Sequence, residues 1–280
     1  MKILFIGDVV GRPGRALVRK SLNTLVRAHG IHFVVVNAEN AAAGAGITRE
    51  IATDLLKDGA HVLTSGNHVW DKREVLTFID DEPRLLRPAN YPLGAPGRGS
   101  TIARASNGVD VGVINIMGRV FLANIDDPFT SALVEIERLR QAGARVIFVD
   151  FHAETTSEKI AMGWHLDGKV TALIGTHTHV QTADGRVLPE GTAYLTDAGM
   201  TGPHDGVIGM DRSAVLARFL TGMPARFEPA TGDVRLHGVV IGADETTGRA
   251  TSIETLSLTA DELERMAHHV AGGEAVGSRP

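Results

Sequence analysis

The chain has 280 residues, of which 43% are hydrophobic and 22% are charged, and its formal net charge is −5 at pH 7. This length fits one large α/β domain or two small ones, and the composition is that of an ordinary globular protein. The absence of cysteine excludes disulfides, zinc–thiolate sites, iron–sulfur clusters and thiol catalysis, and 28 basic against 33 acidic side chains give no basic surface for long nucleic acid. No window reaches the roughly 18 apolar residues of a membrane span, so we expect a cytoplasmic protein without a membrane partner.

Short apolar runs alternate with helical spacing in the first quarter of the chain. Strands are predicted at residues 3–6, 33–36 and 61–64, and helices at residues 14–28 and 48–57. This βαβαβ order predicts a parallel sheet with right-handed crossovers.

The later elements include hairpins. Residues 100–105 and 109–116 are predicted strands joined by Asn107-Gly108, which is a strong hairpin signal. The remaining predicted elements are helices at 128–141 and 210–220, single strands at 145–150, 170–174 and 192–195, and a strand pair at 234–241 and 251–258. Parallel units followed by hairpins predict two sheets packed face to face and flanked by helices. We expect one domain over residues 1–270 and a disordered tail at residues 271–280.

Five polar motifs stand at or just after the ends of predicted strands. In chain order they are G-D-V-V-G from Gly7, N-A-E-N from Asn37, S-G-N-H from Ser65, D-F-H-A-E from Asp150 and G-T-H-T-H from Gly175. In an open α/β sheet, the carboxyl ends of the strands converge on the crevice where ligands bind. We therefore expect these motifs to form one site.

The side chains in these motifs are types that bind metals. They are the carboxylates of Asp8 and Glu39, the amide of Asn67 and the imidazoles of His152, His177 and His179. Sulfur-free nitrogen and oxygen sites suit manganese, iron or zinc. A carboxylate can bridge two ions about 3.5–4 Å apart, the spacing that clamps a phosphoryl group. Because His177 and His179 are two residues apart, an extended chain would place them on one side.

Each motif alone also has a structural explanation. Asp8 could cap a turn, residues 37–40 could form a plain loop, and a lone His152 is more often a buried hydrogen-bonded residue than a ligand. Residues 11–15 could hold an anion on their amides, or could form a tight turn with proline near a helix start. The polar loop at residues 200–206 covers the site or makes a subunit contact. The convergence of five motifs favours a metal site.

With the motifs in this order, the sequence resembles the calcineurin-like metallophosphoesterases over about residues 4–200. The most specific parts are G-N-H from Gly66 and T-H-T-H from Thr176. The longer strings G-D-V-V-G-R-P-G-R, T-S-G-N-H-V-W-D and D-F-H-A-E-T-T-S-E-K resemble the YmdB branch. The resemblance implies a four-layer α/β/β/α sandwich of two mixed sheets flanked by helices, and a homo-oligomer.

Two departures from the wider superfamily affect the ligand set. Val10 takes the position of its usual first histidine, and the bridging acid is Glu39 instead of an aspartate, so Asn40 is the natural substitute ligand. By resemblance, one ion is held by Asp8, Glu39, Asn40 and His179, and the other by Glu39, Asn67, His152 and His177. We expect iron or manganese, with zinc as the alternative.

The resemblance implies a phosphodiesterase that acts on small phosphodiesters, above all 2′,3′-cyclic nucleotides such as 2′,3′-cAMP. A hydroxide that bridges the two ions would attack phosphorus, and the metal charge would stabilise the developing negative charge. His68, directly after Asn67, is predicted to protonate the leaving alkoxide; alternatively, it orients Asp8 or a water. The other hypotheses are a phosphomonoesterase or nuclease on the same site, and a regulatory protein that binds a nucleotide or a partner with weak catalysis.

Overall fold

The computed structural model describes residues 1–272. Thirteen strands are described: β1 (Lys2–Ile6), β2 (Asp8–Val9), β3 (Phe33–Asn37), β4 (Val62–Thr64), β5 (Ser100–Arg104), β6 (Asp110–Met117), β7 (Val146–His152), β8 (Ala172–Thr176), β9 (Arg186–Val187), β10 (Ala193–Leu195), β11 (Met200–Pro203), β12 (Val234–Ala243) and β13 (Ala250–Thr259). The described helices are α1 (Gly11–His29), α2 (Arg49–Lys57), α3 (Pro128–Gln141), α4 (Thr156–Leu166), α5 (Arg212–Thr221) and α6 (Ala260–Ala271), with a 3₁₀ helix at Arg73–Thr77.

The first sheet contains the βαβαβ unit predicted at the start of the chain. Its strand order is β2-β11-β12-β1-β3-β4, and β13 pairs with β12. Strand β3 lies parallel to both β1 and β4, whereas β12 lies antiparallel to β1 and β13. The parallel strands β1, β3 and β4 therefore end at one edge of this sheet.

The second sheet has the order β5-β6-β7-β8-β10-β9. The four central strands β6, β7, β8 and β10 are parallel to one another. The outer strands β5 and β9 are antiparallel to their neighbours. The hairpin predicted at Asn107-Gly108 is confirmed by the β5–β6 pairing, and Gly108 has the positive φ of 84° that this turn requires.

Three buried apolar layers hold the two sheets and the helices together. Between the sheets, the rings of Phe5 and Phe148 lie 5.0 Å apart, centroid to centroid. Buried side chains of α1, α2 and α6 pack on the outer face of the first sheet, and those of α3 and α4 pack on the outer face of the second. The predicted four-layer α/β/β/α sandwich of two mixed sheets is confirmed. Helix α5 stands apart, because Val215 is its one buried residue.

Helices α4 and α6 and strand β11 are not predicted by the sequence pattern. In α4, Gly163 weakens the helical signal in the sequence. Glycine is needed there because a Cβ at this position would clash with the ring of Tyr194. Helix α6 begins with a capping box of Thr259 and Glu262. Because Thr259 is also the last residue of β13, no loop marks the boundary between the strand and the helix. The prediction of a loop at residues 200–206 is wrong for its first four residues, because Met200–Pro203 pairs with β2 and β12.

The start of α1 settles how the glycine-rich segment at residues 11–15 is used. The helix begins at Gly11, where the amide N–H donates to Asn40 O at 3.0 Å. The Gly14 N–H donates to Val10 O at 3.2 Å. Because both amides are engaged within the chain, the tight-turn explanation is favoured over an anion site.

The last described helix runs past the predicted domain boundary at residue 270. Ala271 is the last residue of α6 and Gly272 follows as its C-cap, so the predicted tail from residue 271 overlaps the helix end. Residues 273–280 of that tail lie outside the described residues. Within residues 1–272, none of the helices combines the length and the apolar character that crossing a membrane needs.

Candidate metal centre

The five motifs lie together at the carboxyl ends of strands from both sheets. The predicted site residues have these places: Asp8 opens β2 directly after β1, Glu39 and Asn40 follow β3, Asn67 and His68 follow β4, His152 ends β7, and His177 and His179 follow β8. The side chains of Asn37 and Asp150 join the two sheets beneath them, with Nδ2 and Oδ2 2.9 Å apart. The site is therefore built where the sheet edges meet.

Four predicted ligands converge on one point around His152, whose side chain is fully buried. The His152 Nε2 atom lies 2.9 Å from Asn67 Oδ1 and 3.0 Å from His177 Nδ1. Glu39 Oε2 lies 3.2 Å from the same nitrogen. All four atoms carry lone pairs, and one shared proton cannot satisfy them. The ligand atoms of Glu39, His152 and His177 lie within 4.8 Å of one another, which a bound cation would explain.

The remaining predicted ligands are Asp8, Asn40 and His179, and two of them lie together. Asn40 Oδ1 lies 3.3 Å from His179 Nε2. The Asn40 amide nitrogen donates to Gly44 O at 2.9 Å, which presents Oδ1 to the histidine. Asp8 Oδ2 accepts from the His177 backbone N–H at 3.0 Å, whereas its Oδ1 is buried without a hydrogen-bond partner. Asn40 and His179 are thus neighbours, whereas Asp8 contacts His177 of the first group, and the partition between two ions stays a prediction.

The two histidines after β8 do not lie on extended chain. His177 has φ of 97° and His179 has φ of 65°, so the expectation that they share one side of an extended segment is wrong. The intervening Thr178 is held by Asp197 Oδ2, which accepts from its backbone N–H at 3.1 Å and from its hydroxyl at 2.8 Å. Asp197 also pairs with the buried Lys159, Nζ to Oδ2, at 2.6 Å. A buried ion pair thus supports a strained turn.

Hydrogen bonds fix which nitrogen each ligand histidine presents. His152 Nδ1 lies 3.0 Å from Thr176 Oγ1, and His179 Nδ1 lies 2.9 Å from Ile208 O. His177 Nε2 lies 2.8 Å from Glu154 Oε2, which leaves Nδ1 toward His152. Such partners orient metal-bound imidazoles. The role of Glu154 is not among the predictions, although the D-F-H-A-E motif contains it.

The charges of the site are unbalanced without a cation. Burial raises the pKa of Asp8 well above its ordinary value, and the nearby Asp197 and Glu39 carboxylates add to the rise. Burial lowers the pKa of His152, but the charges of Glu39 and Asp8 outweigh it and raise it to about 9. Burial and the neighbouring His152 lower the pKa of His177 to about 3. In the metal-free chain, a protonated His152 therefore supplies the positive charge that a cation would bring.

Two further observations fit a metal ion. Asp8 Oδ1 and Glu39 Oε2 are buried oxygens that lack a hydrogen-bond partner within the described residues. A Cβ added to Gly66 would lie 2.0 Å from Glu39 Oε2 and 2.3 Å from both Nε2 and Cδ2 of His152, which is closer than a carbon can pack. The two unpartnered oxygens therefore fit a bound cation, and glycine at position 66 leaves the space beside Glu39 and His152 open.

His68 lies at the rim of the site. Its Nδ1 atom is 2.8 Å from Asp71 Oδ2, and its side chain is 36% exposed, unlike the buried ligand histidines. A carboxylate on one imidazole nitrogen orients the ring. This geometry suits the predicted proton donor better than a buried ligand.

Comparison with known proteins decides the family. The sequence profile of the YmdB-like protein family matches residues 4–256. The chain belongs to the YmdB-like family. A 2′,3′-cyclic-nucleotide 2′-phosphodiesterase of Bacillus subtilis is 52% identical over 265 residues, which cover 94% of this chain and 99% of that protein. The predicted family is thus confirmed.

Two solved structures share the fold of this YmdB-like chain. A hypothetical protein from Thermus thermophilus superposes with a TM-score of 0.86 at 39% identity, covering 92% of this chain and 99% of the other. A novel phosphatase from Mycoplasma pneumoniae gives a TM-score of 0.85 at 33% identity, covering 92% and 93%. Both likenesses extend over nearly the whole fold.

Proposed function

We propose that this YmdB-like chain is a metal-dependent phosphodiesterase that hydrolyses 2′,3′-cyclic nucleotides such as 2′,3′-cAMP. The observation that carries the proposal is the convergence of Glu39, Asn67 and His177 on His152 Nε2, because this donor set fits a cation. The name of the B. subtilis relative supports the substrate class. Hydrolysis of the 2′ ester adds one water across the P–O2′ bond and leaves a 3′-phosphate monoester.

The ligand groups support a dinuclear site. The first ion would be held by Asp8, Glu39, Asn40 and His179, and the second by Glu39, Asn67, His152 and His177. Nitrogen and oxygen donors without sulfur suit iron or manganese, and also accept zinc. When bound, the ions would supply positive charge against the phosphate oxygens and lower the pKa of a water.

His68 is the proposed proton donor for the leaving 2′ oxygen. The Asp71 carboxylate, 2.8 Å from Nδ1, accepts a hydrogen bond from the Nδ1–H and so orients the ring. Nε2 is then the nitrogen that gives a proton to the alkoxide. The exposed edge of the ring lets it meet a substrate from solvent, and general-acid assistance of this kind is typically worth about 10²–10⁴-fold.

Rate comparisons on different phosphoesters test the proposal. We expect faster hydrolysis of 2′,3′-cAMP than of a phosphomonoester or of long RNA at equal phosphate concentration. Glu39→Gln should lower both metal content and turnover, whereas Glu50→Gln on the exposed face of α2 should change neither. Faster cleavage of RNA would support the nuclease, turnover of monoesters alone a phosphomonoesterase, and nucleotide binding without turnover a regulatory protein.

The cytoplasmic location and the homo-oligomer stay predictions. For the homo-oligomer, support comes from α5 and the segment after it, where Leu216, Phe219, Leu220 and Met223 are exposed apolar side chains. Sedimentation of the purified protein would show whether copies associate. A monomer at micromolar concentration would contradict that prediction.

A further inference from the structure

Asp150 is a buried carboxyl in the metal centre that belongs to neither proposed ligand set. It lies on β7 two residues before His152, so both side chains point to the same face of the strand. That face is the one that meets the other sheet, because Phe148 on the same side packs in the layer between the sheets. Asp150 is therefore placed directly beneath His152, between the two sheets.

One oxygen of Asp150 determines, through Thr176, which nitrogen of His152 carries the proton. Asp150 Oδ1 accepts the Thr176 hydroxyl proton at 2.7 Å. A hydroxyl has a single proton, so Thr176 Oγ1 must accept at its other contact, 3.0 Å from His152 Nδ1. When the ring is neutral, as in a metal ligand, His152 then carries its single proton on Nδ1. Its Nε2 keeps a lone pair directed at the ligand cluster, which is the form that a metal ion requires.

The other oxygen of Asp150 controls the turn that carries Glu39. Asp150 Oδ2 accepts from Asn37 Nδ2 at 2.9 Å and from the Thr64 hydroxyl. Asn37 Oδ1 in turn accepts from the Glu39 backbone N–H at 3.1 Å. The carboxyl thus reaches ligands on both sheets, each through one intervening side chain.

We propose that Asp150 is a positioning residue, which fixes the His152 tautomer and the Glu39 backbone for metal binding. The proposal rests on the proposed function for the identity of the ligands. Both oxygens of Asp150 act only as acceptors, so an amide cannot replace the carboxyl. In Asp150→Asn, one orientation of the amide donates to Thr176 and reverses the hydroxyl, which moves the His152 proton to Nε2. The other orientation places the amide N–H₂ against the donors of Asn37 and Thr64.

The test is Mn²⁺ affinity, measured by calorimetry on metal-free protein. Thr176→Val keeps the shape of the side chain but removes the hydroxyl, and Thr176→Ser restores the hydroxyl. We expect a 10–100-fold loss of affinity in Thr176→Val and Asp150→Asn, the range for groups that orient metal ligands. In Thr176→Ser, affinity should recover to within about threefold.

Circular dichroism of the metal-free variants separates folding from metal positioning. Equal Mn²⁺ affinity in Thr176→Val and Thr176→Ser would overturn the proposal, even if Asp150→Asn fails to fold. If the wild-type protein binds Mn²⁺ and the variants differ as expected, but 2′,3′-cAMP is not hydrolysed, the proposed function fails and the positioning role stands. If turnover of all variants equals that of wild type at limiting Mn²⁺, the positioning role fails and the proposed function stands.

Discussion

A single methyl group on Gly66 should abolish metal binding without removing any of the proposed ligands. Gly66 follows β4 and lies against Glu39 Oε2 and His152 Nε2. An alanine Cβ would stand 2.0 Å from Glu39 Oε2 and 2.3 Å from both Nε2 and Cδ2 of His152, far inside van der Waals contact. The methyl carbon would therefore crowd both side chains at the place where they would share an ion.

The magnitude follows from the packing. Carbon and oxygen atoms approach only to about 3.5 Å without strain, and Glu39 and His152 are buried at 1% and 0% exposure, so neither side chain has room to retreat. Overpacking of this kind costs about 1–3 kcal/mol of folding free energy, which a domain with about 5–15 kcal/mol survives. Metal content and turnover of Gly66→Ala should fall by at least about 10²-fold, beyond the loss caused by supporting residues.

Elemental analysis, turnover of 2′,3′-cAMP and thermal unfolding in chelator would be measured on Gly66→Ala and on a matched control. Gly94→Ala is the control, because a Cβ there meets no atom within 4 Å. The control should keep wild-type metal content and turnover. The reasoning is refuted if Gly66→Ala is folded and retains the metal content of Gly94→Ala.

Three further predictions concern proton transfer, stability and pH. His68→Ala should keep its metal and lose about 10²–10⁴-fold in kcat on an alkyl phosphodiester, with a smaller loss on a p-nitrophenyl diester; equal losses on the two esters would show that His68 does not act as the acid. Lys159→Met should lower the free energy of unfolding by about 3–5 kcal/mol, because it leaves buried Asp197 without its cation; a denaturant midpoint like that of wild type would contradict this. Burial lowers the pKa of His237 in the folded chain to about 4, below its ordinary value of about 6.5. Its contribution to stability is thus present above pH 6.5 and is lost as pH falls toward 4. The wild-type free energy of unfolding should therefore fall between pH 7 and pH 5 by about 1–2 kcal/mol more than that of His237→Asn. An equal fall in the two proteins would contradict the lowered pKa of His237.

Local signals in the sequence predict which residues stand at the strand ends that form the site. Asp8, Asn67 and His152 stand at strand ends, and apolar runs followed by polar motifs mark such ends without knowledge of the rest of the chain. The Asn107-Gly108 hairpin is predictable for the same reason, because the turn geometry depends on two adjacent residues.

The supporting contacts could not be predicted, because they join distant parts of the chain. Asp150 meets Asn37 across 113 positions, and Lys159 meets Asp197 across 38. The positive φ of His177 was also hidden, since residues other than glycine rarely signal a left-handed backbone. That conformation is imposed by tertiary contacts, including those of Asp197 with the turn.

Turnover measured against bound metal shows whether the enzyme needs two ions, one ion or none. Metal-free protein would be titrated with Mn²⁺ or Fe²⁺, and hydrolysis of 2′,3′-cAMP would be recorded together with the number of ions bound per chain. We expect no turnover without metal, and a rise that levels off at two ions per chain. Full turnover in metal-free protein would contradict metal dependence, and full turnover at one ion per chain would contradict the dinuclear site.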